Sequence, residues 1–122
     1  MNNKILNILL KNINKDGNKS RQSIIAYCYK GNELIHAVNS YSKCCNTSRK
    51  CGHYFDHAET LLVQKLITRN FIPKTIYIIG VTQGGKILPT TIPCDKCYQA
   101  LVSYGVKHIQ CLKNYNLCKM TI

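Results

Sequence analysis

The chain has no tryptophan, only two phenylalanines and only five acidic residues among 122. It has no apolar run near the roughly 20 residues that a helix needs to cross a bilayer, which excludes a helical membrane span. Its opening, "MNNKILNILLKNINK", is interrupted by Asn7 and offers no small-residue cleavage site. It does not read as a signal peptide, so the protein is expected to work in the cytoplasm or elsewhere inside the cell. Internal repeats and low-complexity linkers are also missing. The length fits a single domain over residues 1–122, large enough to enclose a hydrophobic core without covalent staples.

The scarcity of acid leaves 17 basic residues and a net charge of +12. Lysines outnumber arginines 14 to 3 and tryptophan is absent, which points to an AT-rich coding sequence. That bias accounts for Lys over Arg but not for the few Asp and Glu. The charge suits a polyanionic or phosphorylated partner, or a solvated basic surface. Eight cysteines could mean four disulfides in a secreted chain. The pair in "PCDKC" is too close for a disulfide ladder, so the expectation is metal ligands plus buried thiols in a reducing compartment.

Residues 3–14 carry Ile5, Leu6, Ile8, Leu9, Leu10 and Ile13, a helical stripe. "NKDGNKS" at 14–20 reads as a loop. "QSIIAYCYK" and "ELIHAVNSY" are β-branched and aromatic, joined by "GN", and predict a hairpin. A long polar loop follows at 42–55, of the kind that is usually functional or stapled by a metal. A helix is expected from about Asp56 to Asn70 with Asp56 as its N-cap. "KTIYIIGVT" predicts a strand buried on both faces. A helix from Cys94 to Tyr104 should close at Gly105, and "VKHIQCL" should be a strand. "NYNLCKMTI" is either a last strand or a tail. Alternating strands and helices imply a mixed sheet with helices on its faces.

Two short motifs carry chemistry. "HAE" places His57 and Glu59 at the head of one predicted helix, and "PCDKC" places Cys94 and Cys97 at the head of another. A catalytic zinc takes three protein ligands and keeps one position for water, and His57, Cys94 and Cys97 supply three. A helix N-terminus favours the thiolate. Glu59 is left over, within reach of the open position, and suits proton transfer. A purely structural zinc would want a fourth protein ligand, and the motifs offer none besides Glu59.

The arrangement is the H-x-E…P-C-x-x-C signature of zinc nucleobase deaminases. On "DHAETLLVQKL" and "TTIPCDKCYQALVSYGVKHIQCL", the chain resembles the cytidine deaminase-like superfamily, from Ser23 to near Leu112. The resemblance implies an α/β fold, a three-layer α/β/α sandwich around a mixed sheet of about five strands. It implies a Zn(2+) cofactor and hydrolytic conversion of cytosine to uracil, with Glu59 carrying the protons. It also implies substrate contacts from Asn39, from the backbone N–H of Ala58, and from the loop holding Thr91 and Pro93. Tyr41, Tyr54 and Phe55 could stack on a base or simply pack. Some deoxycytidylate deaminases hold an accessory zinc, and Cys44, Cys45, Cys51 and His53 could form such a site. Lys43, Arg49 and Lys50 in that loop could meet phosphate, while Cys28, Cys111 and Cys118 read as buried strand thiols.

His57 in place of cysteine resembles the nucleotide and polynucleotide branches, and "TTIPC" lacks the tryptophan of vertebrate polynucleotide editors. The expected partner is a cytosine-containing nucleotide, nucleoside or single strand, with a homo-oligomer possible and no membrane. Alternatives are adenosine deamination in RNA and a non-catalytic, zinc-stapled nucleic-acid-binding protein.

Overall fold

The computed structural model describes residues 2–14 and 21–122, so most of the expected loop at 14–20 lies outside the described residues. Helix α1 (Asn3–Ile13) begins where the Asn2 side chain accepts a hydrogen bond from the Lys4 N–H. Strands β1 (Ser23–Lys30) and β2 (Glu33–Val38) form the expected hairpin, with Lys30 opposite Glu33 across a two-residue turn. Gly31 takes φ +61° there, a conformation that glycine adopts at little cost.

The polar loop contains a short helix, α2 (Asn46–Lys50), which its composition did not reveal. Helix α3 (Ala58–Arg69), strand β3 (Thr75–Val81), helix α4 (Asp95–Tyr104) and strand β4 (His108–Lys113) follow. Gly105 ends α4 at φ +110°. The C-terminal segment is a strand, β5 (Asn116–Thr121), antiparallel to β4.

The sheet runs β2-β1-β3-β4-β5, with β3 and β4 parallel and every other pair antiparallel. Alternation along each strand sorts side chains to two faces. Ala26, Cys28, Ile76, Ile78, Ile109 and Cys111 face Leu62, Leu66 and Leu101 of α3 and α4. Ile25 and Val81 face Ile5 and Leu9 of α1. The result is the expected three layers, with α1 alone on the second face. Each fully buried Leu or Ile contributes about 1.5–3 kcal/mol.

All eight cysteines are free thiols. Cys28 and Cys111 are buried as expected, and burial pushes each thiol up to about 11. Cys118 is half-buried on β5. Among the described residues, no helix is long and apolar enough to cross a membrane.

Candidate metal centre and active site

The starts of α3 and α4 meet on one side of the sheet. His57 and Cys94 are the N-caps, both in extended backbone, and neither side chain turns back to cap its own helix. They face each other instead, with Cys94 Sγ 3.9 Å from His57 Nδ1. Cys97, one turn into α4 and fully buried, brings its Sγ within 3.4 Å of the same nitrogen. The three residues expected to bind metal therefore converge.

A fourth joins them. His53 Nε2 lies 3.4 Å from Cys97 Sγ, and its ring stacks on His57 with centroids 3.7 Å apart. The donor atoms of His53, His57, Cys94 and Cys97 all lie within 4.8 Å of one another. Tetrahedral zinc with Zn–S of ~2.3 Å and Zn–N of ~2.05 Å places a sulfur about 3.6 Å from a nitrogen. The three sulfur–nitrogen separations of 3.4, 3.4 and 3.9 Å bracket that value. Two thiols and two imidazoles are a donor set that fits zinc.

The electrostatics favour a cation. Burial pushes the Cys97 thiol far up, and the neighbouring Glu59 and Cys94 push it further. Burial, then the facing His53, lowers His57, and burial together with Lys96 lowers His53, so both rings favour the neutral form that binds metal. Glu59 is buried beside them. Burial raises its carboxyl, partly offset by hydrogen bonds from a backbone N–H and from Cys97. A divalent ion would reverse the penalty on each thiolate and carboxylate.

Asp56 does not cap α3, contrary to expectation. Its N–H and C=O pair with Ser40, and its buried carboxylate accepts from the Cys45 N–H at 2.8 Å and the Ser48 hydroxyl at 2.8 Å. Ser48 has one hydrogen and the carboxylate takes it, so Thr60 donates to Ser48 across 2.7 Å. This chain of bonds ties α2 to the start of α3, one residue before His57 and three after it.

A cavity of about 230 Å³ opens beside the donors, lined by Ile24, Asn39, Tyr41, His57, Ala58 and Glu59 among others. Phe55 also lines it, with its ring between those of Tyr41 and His57, at 4.9 and 5.0 Å. Arg21 sits 4.5 Å over the Tyr41 ring. Tyr54 points away, almost wholly exposed.

The expected substrate contacts fare differently. Ala58 is buried on the cavity wall, in the first turn of α3, where N–H groups have no intrahelical acceptor. Asn39 reaches the wall, but its Oδ1 already accepts from the Ile24 N–H and from Asn12 Nδ2, and its Nδ2 donates to the Gln22 carbonyl. The Thr91 side chain donates to the Ile78 carbonyl and accepts from the Leu112 N–H, which pins the loop whose backbone carbonyls the resemblance offers to the substrate. Pro93 is buried just before α4. Cys44, Cys51 and His53 do not assemble into a group of their own among the described residues. The Cys44 thiol turns to the His53 carbonyl, while the His53 ring joins the other donors.

Sequence reasoning missed Asn12, Ser48 and Thr60. Asn12 Nδ2 bonds Ser23 Oγ, the Asn39 carbonyl and Asn39 Oδ1. Its only signal was a polar residue on the apolar stripe of α1.

Residues 3–113 match the family model described as the cytidine and deoxycytidylate deaminase zinc-binding region. Comparison with curated protein sequences gives no match. Among solved structures, the chain is similar to the cytidine deaminase from Mycobacterium leprae, with a TM-score of 0.57 and 17% identity, covering 98% of this chain and 93% of that one. It is also similar to a mutant cytidine deaminase from Mycobacterium tuberculosis, with a TM-score of 0.45 and 18% identity, covering 85% and 81%. At 17% identity the likeness to the Mycobacterium leprae structure is one of fold.

Proposed function

The chain belongs to the cytidine and deoxycytidylate deaminase family, and from that premise we propose that it hydrolyses the C4 amine of cytosine in a (deoxy)cytidine nucleotide or nucleoside, or in a single-stranded nucleic acid. One water enters, one ammonia leaves, and uracil remains. The observation that supports this most is Glu59, a buried carboxyl placed against the His57, Cys94 and Cys97 donors. A purely structural metal site has no use for it.

His57, Cys94 and Cys97 are the residues that would hold zinc. When bound, the ion supplies a Lewis acid that makes water nucleophilic near neutral pH. Glu59 would take the proton of the attacking water, deliver it to ring N3, and return a proton to the departing amine. Its raised pKa suits a group that must both accept and donate. The Ala58 N–H would hold the cytosine carbonyl, and Phe55 and Tyr41 would flank the ring. The 230 Å³ cavity lies below the ~300–1,000 Å³ usual for whole ligands. That supports entry of the base, with sugar and phosphate outside. The hollow adjoining it at Asn39, lined in part by Lys43 and Lys65, supports a phosphate-bearing ligand.

A second reading has one observation in its favour. His53 completes four protein donors, the number a structural zinc requires. On that reading the protein is a zinc-stapled nucleic-acid-binding module. The test incubates the zinc-loaded protein in parallel with dCMP, cytidine and a cytosine-containing single strand, and measures uracil by chromatography. Uracil from any of them supports the enzyme and names its substrate. Binding of the strand without uracil from any supports the module.

A further inference from the structure

Three-ligand and four-ligand zinc sites differ in one respect that matters for catalysis. The three-ligand site leaves a position for water, and the four-ligand site does not. Here the fourth donor comes from the loop between β2 and α3, not from either helix start. We propose that His53 is a fourth, displaceable ligand of the zinc, so that the resting site is closed and opens only when His53 leaves. This rests on zinc being held by His57, Cys94 and Cys97, and it adds a gate to that site.

The geometry supports ligation by proximity. His53 Nε2 stands as close to Cys97 Sγ as His57 Nδ1 does, 3.4 Å in each case. The two rings stack 14° from parallel with centroids 3.7 Å apart, so His53, the less firmly held of the two, would tilt its ring to aim Nε2 at an ion held by His57. An ordinary surface histidine would turn its ring to solvent.

Displaceability follows from what holds His53. The loop is anchored firmly at α2, through Ser48 and Cys45 to Asp56. Beyond α2 the anchors thin out. Gly52 precedes His53 at φ +80°, and Tyr54 follows it 97% exposed. Between them His53 is held by its N–H to the Ser48 carbonyl, by the Cys44 thiol at 3.4 Å on its carbonyl, and by its ring contacts. Lys96 of α4 reaches the Gly52 carbonyl at 3.4 Å, a link from this segment to the other helix start beside the His53–Cys97 contact. The ring can therefore withdraw without unravelling α2 or α3. His57 and Cys97 have no such freedom, since one abuts a buried helix start and the other is itself buried.

The closed state would keep water and stray ligands off the metal until a ligand fills the cavity beside it. A ligand entering that cavity must compete with His53 for the open position. If the open form is about a tenth of the population, apparent affinity drops about tenfold.

X-ray absorption of the zinc-loaded full chain counts the ligands directly. We expect two sulfurs and two imidazoles in the wild type. His53→Ala should show two sulfurs, one imidazole and one light oxygen donor. Azide titrated into the cobalt-substituted protein should perturb the visible spectrum of His53→Ala at a concentration about tenfold lower than for the wild type. One imidazole in the wild type, or equal azide affinity in the two proteins, overturns the proposal. The wild-type count stands even if the variant fails to fold. Failure of the underlying zinc reading looks different: wild-type protein that takes up no zinc, or Cys97→Ser that keeps it fully, strikes the three-residue set itself.

Discussion

The two helix starts that meet at the donor group are built in different ways. At α3 everything around His57 is buried and bonded. Asp56, Ser48, Ala58, Glu59 and Thr60 are all buried, and three of their side chains form one hydrogen-bonded chain. At α4 Cys94, Asp95 and Lys96 are exposed, while Pro93 and Cys97 are sunk into the core. The α3 side is therefore a rigid frame that fixes one donor and one acid. The α4 side supplies the two sulfurs, with the buried one as its anchor. The difference puts the buried acid on one element and both sulfurs on the other, so different substitutions reach them.

The largest effect should come from the anchor. Cys97→Ser removes a buried donor close to both imidazole nitrogens, and elemental analysis should find stoichiometric zinc gone. Cys94→Ser should weaken retention less, because its sulfur is exposed. If Cys97→Ser holds its full metal, the α4 side is not the retaining half. Next in size, Glu59→Gln on the frame should lower turnover by ~10²–10⁴-fold while zinc content is unchanged. Near-wild-type uracil production by that variant would remove the proton-transfer role.

Asp56→Ala sharpens the comparison in another way. It orphans the Cys45 N–H and unsettles Ser48, at a cost of about 1–3 kcal/mol for a buried unsatisfied group. Urea unfolding should register that loss. Zinc affinity should fall by the ~10–100-fold typical of outer-shell changes, although Asp56 touches no donor. A variant as stable as the wild type would mean that the frame is not held by this carboxylate. The smallest effect belongs to the surface. If the substrate is a single strand, replacing Lys43, Arg49 and Lys50 together should flatten the slope of log affinity against log salt by about 0.7 per lost phosphate contact. An unchanged slope would place the strand, if it binds, elsewhere.

The periodic elements were legible. α1, the β1–β2 hairpin, β3, α4 and β4 announce themselves through apolar spacing, and Gly31 and Gly105 mark two ends. The convergence of His57, Cys94 and Cys97 was legible for the same reason, because they sit at the heads of those helices. What escaped was whatever depends on the loop folding back. "NTSRK" has no apolar period, so α2 left no trace. Asp56 has the right residue type for a cap, but it is held by the bridge to Ser40 and spends its carboxylate on the loop. His53 looked like a partner for Cys44 and Cys51 because they are its sequence neighbours, whereas its ring crosses to Cys97, 44 residues away. The final strand stayed ambiguous because β5 is a sheet edge with little burial to pattern it.

Asn12 belongs to the helix that covers the far face of the sheet, yet its amide reaches Asn39 on the wall of the site cavity. α1 is therefore not an expendable cover. A chain trimmed past residue 13 would expose Ile25 and Val81 on the back of the sheet. It would also leave Ser23 Oγ, the Asn39 carbonyl and the Asn39 side-chain oxygen without Asn12 as their donor. The damage would surface on the opposite layer, at the rim where the base is proposed to enter. A tag or truncation chosen to spare the donor motifs should still leave this first helix whole.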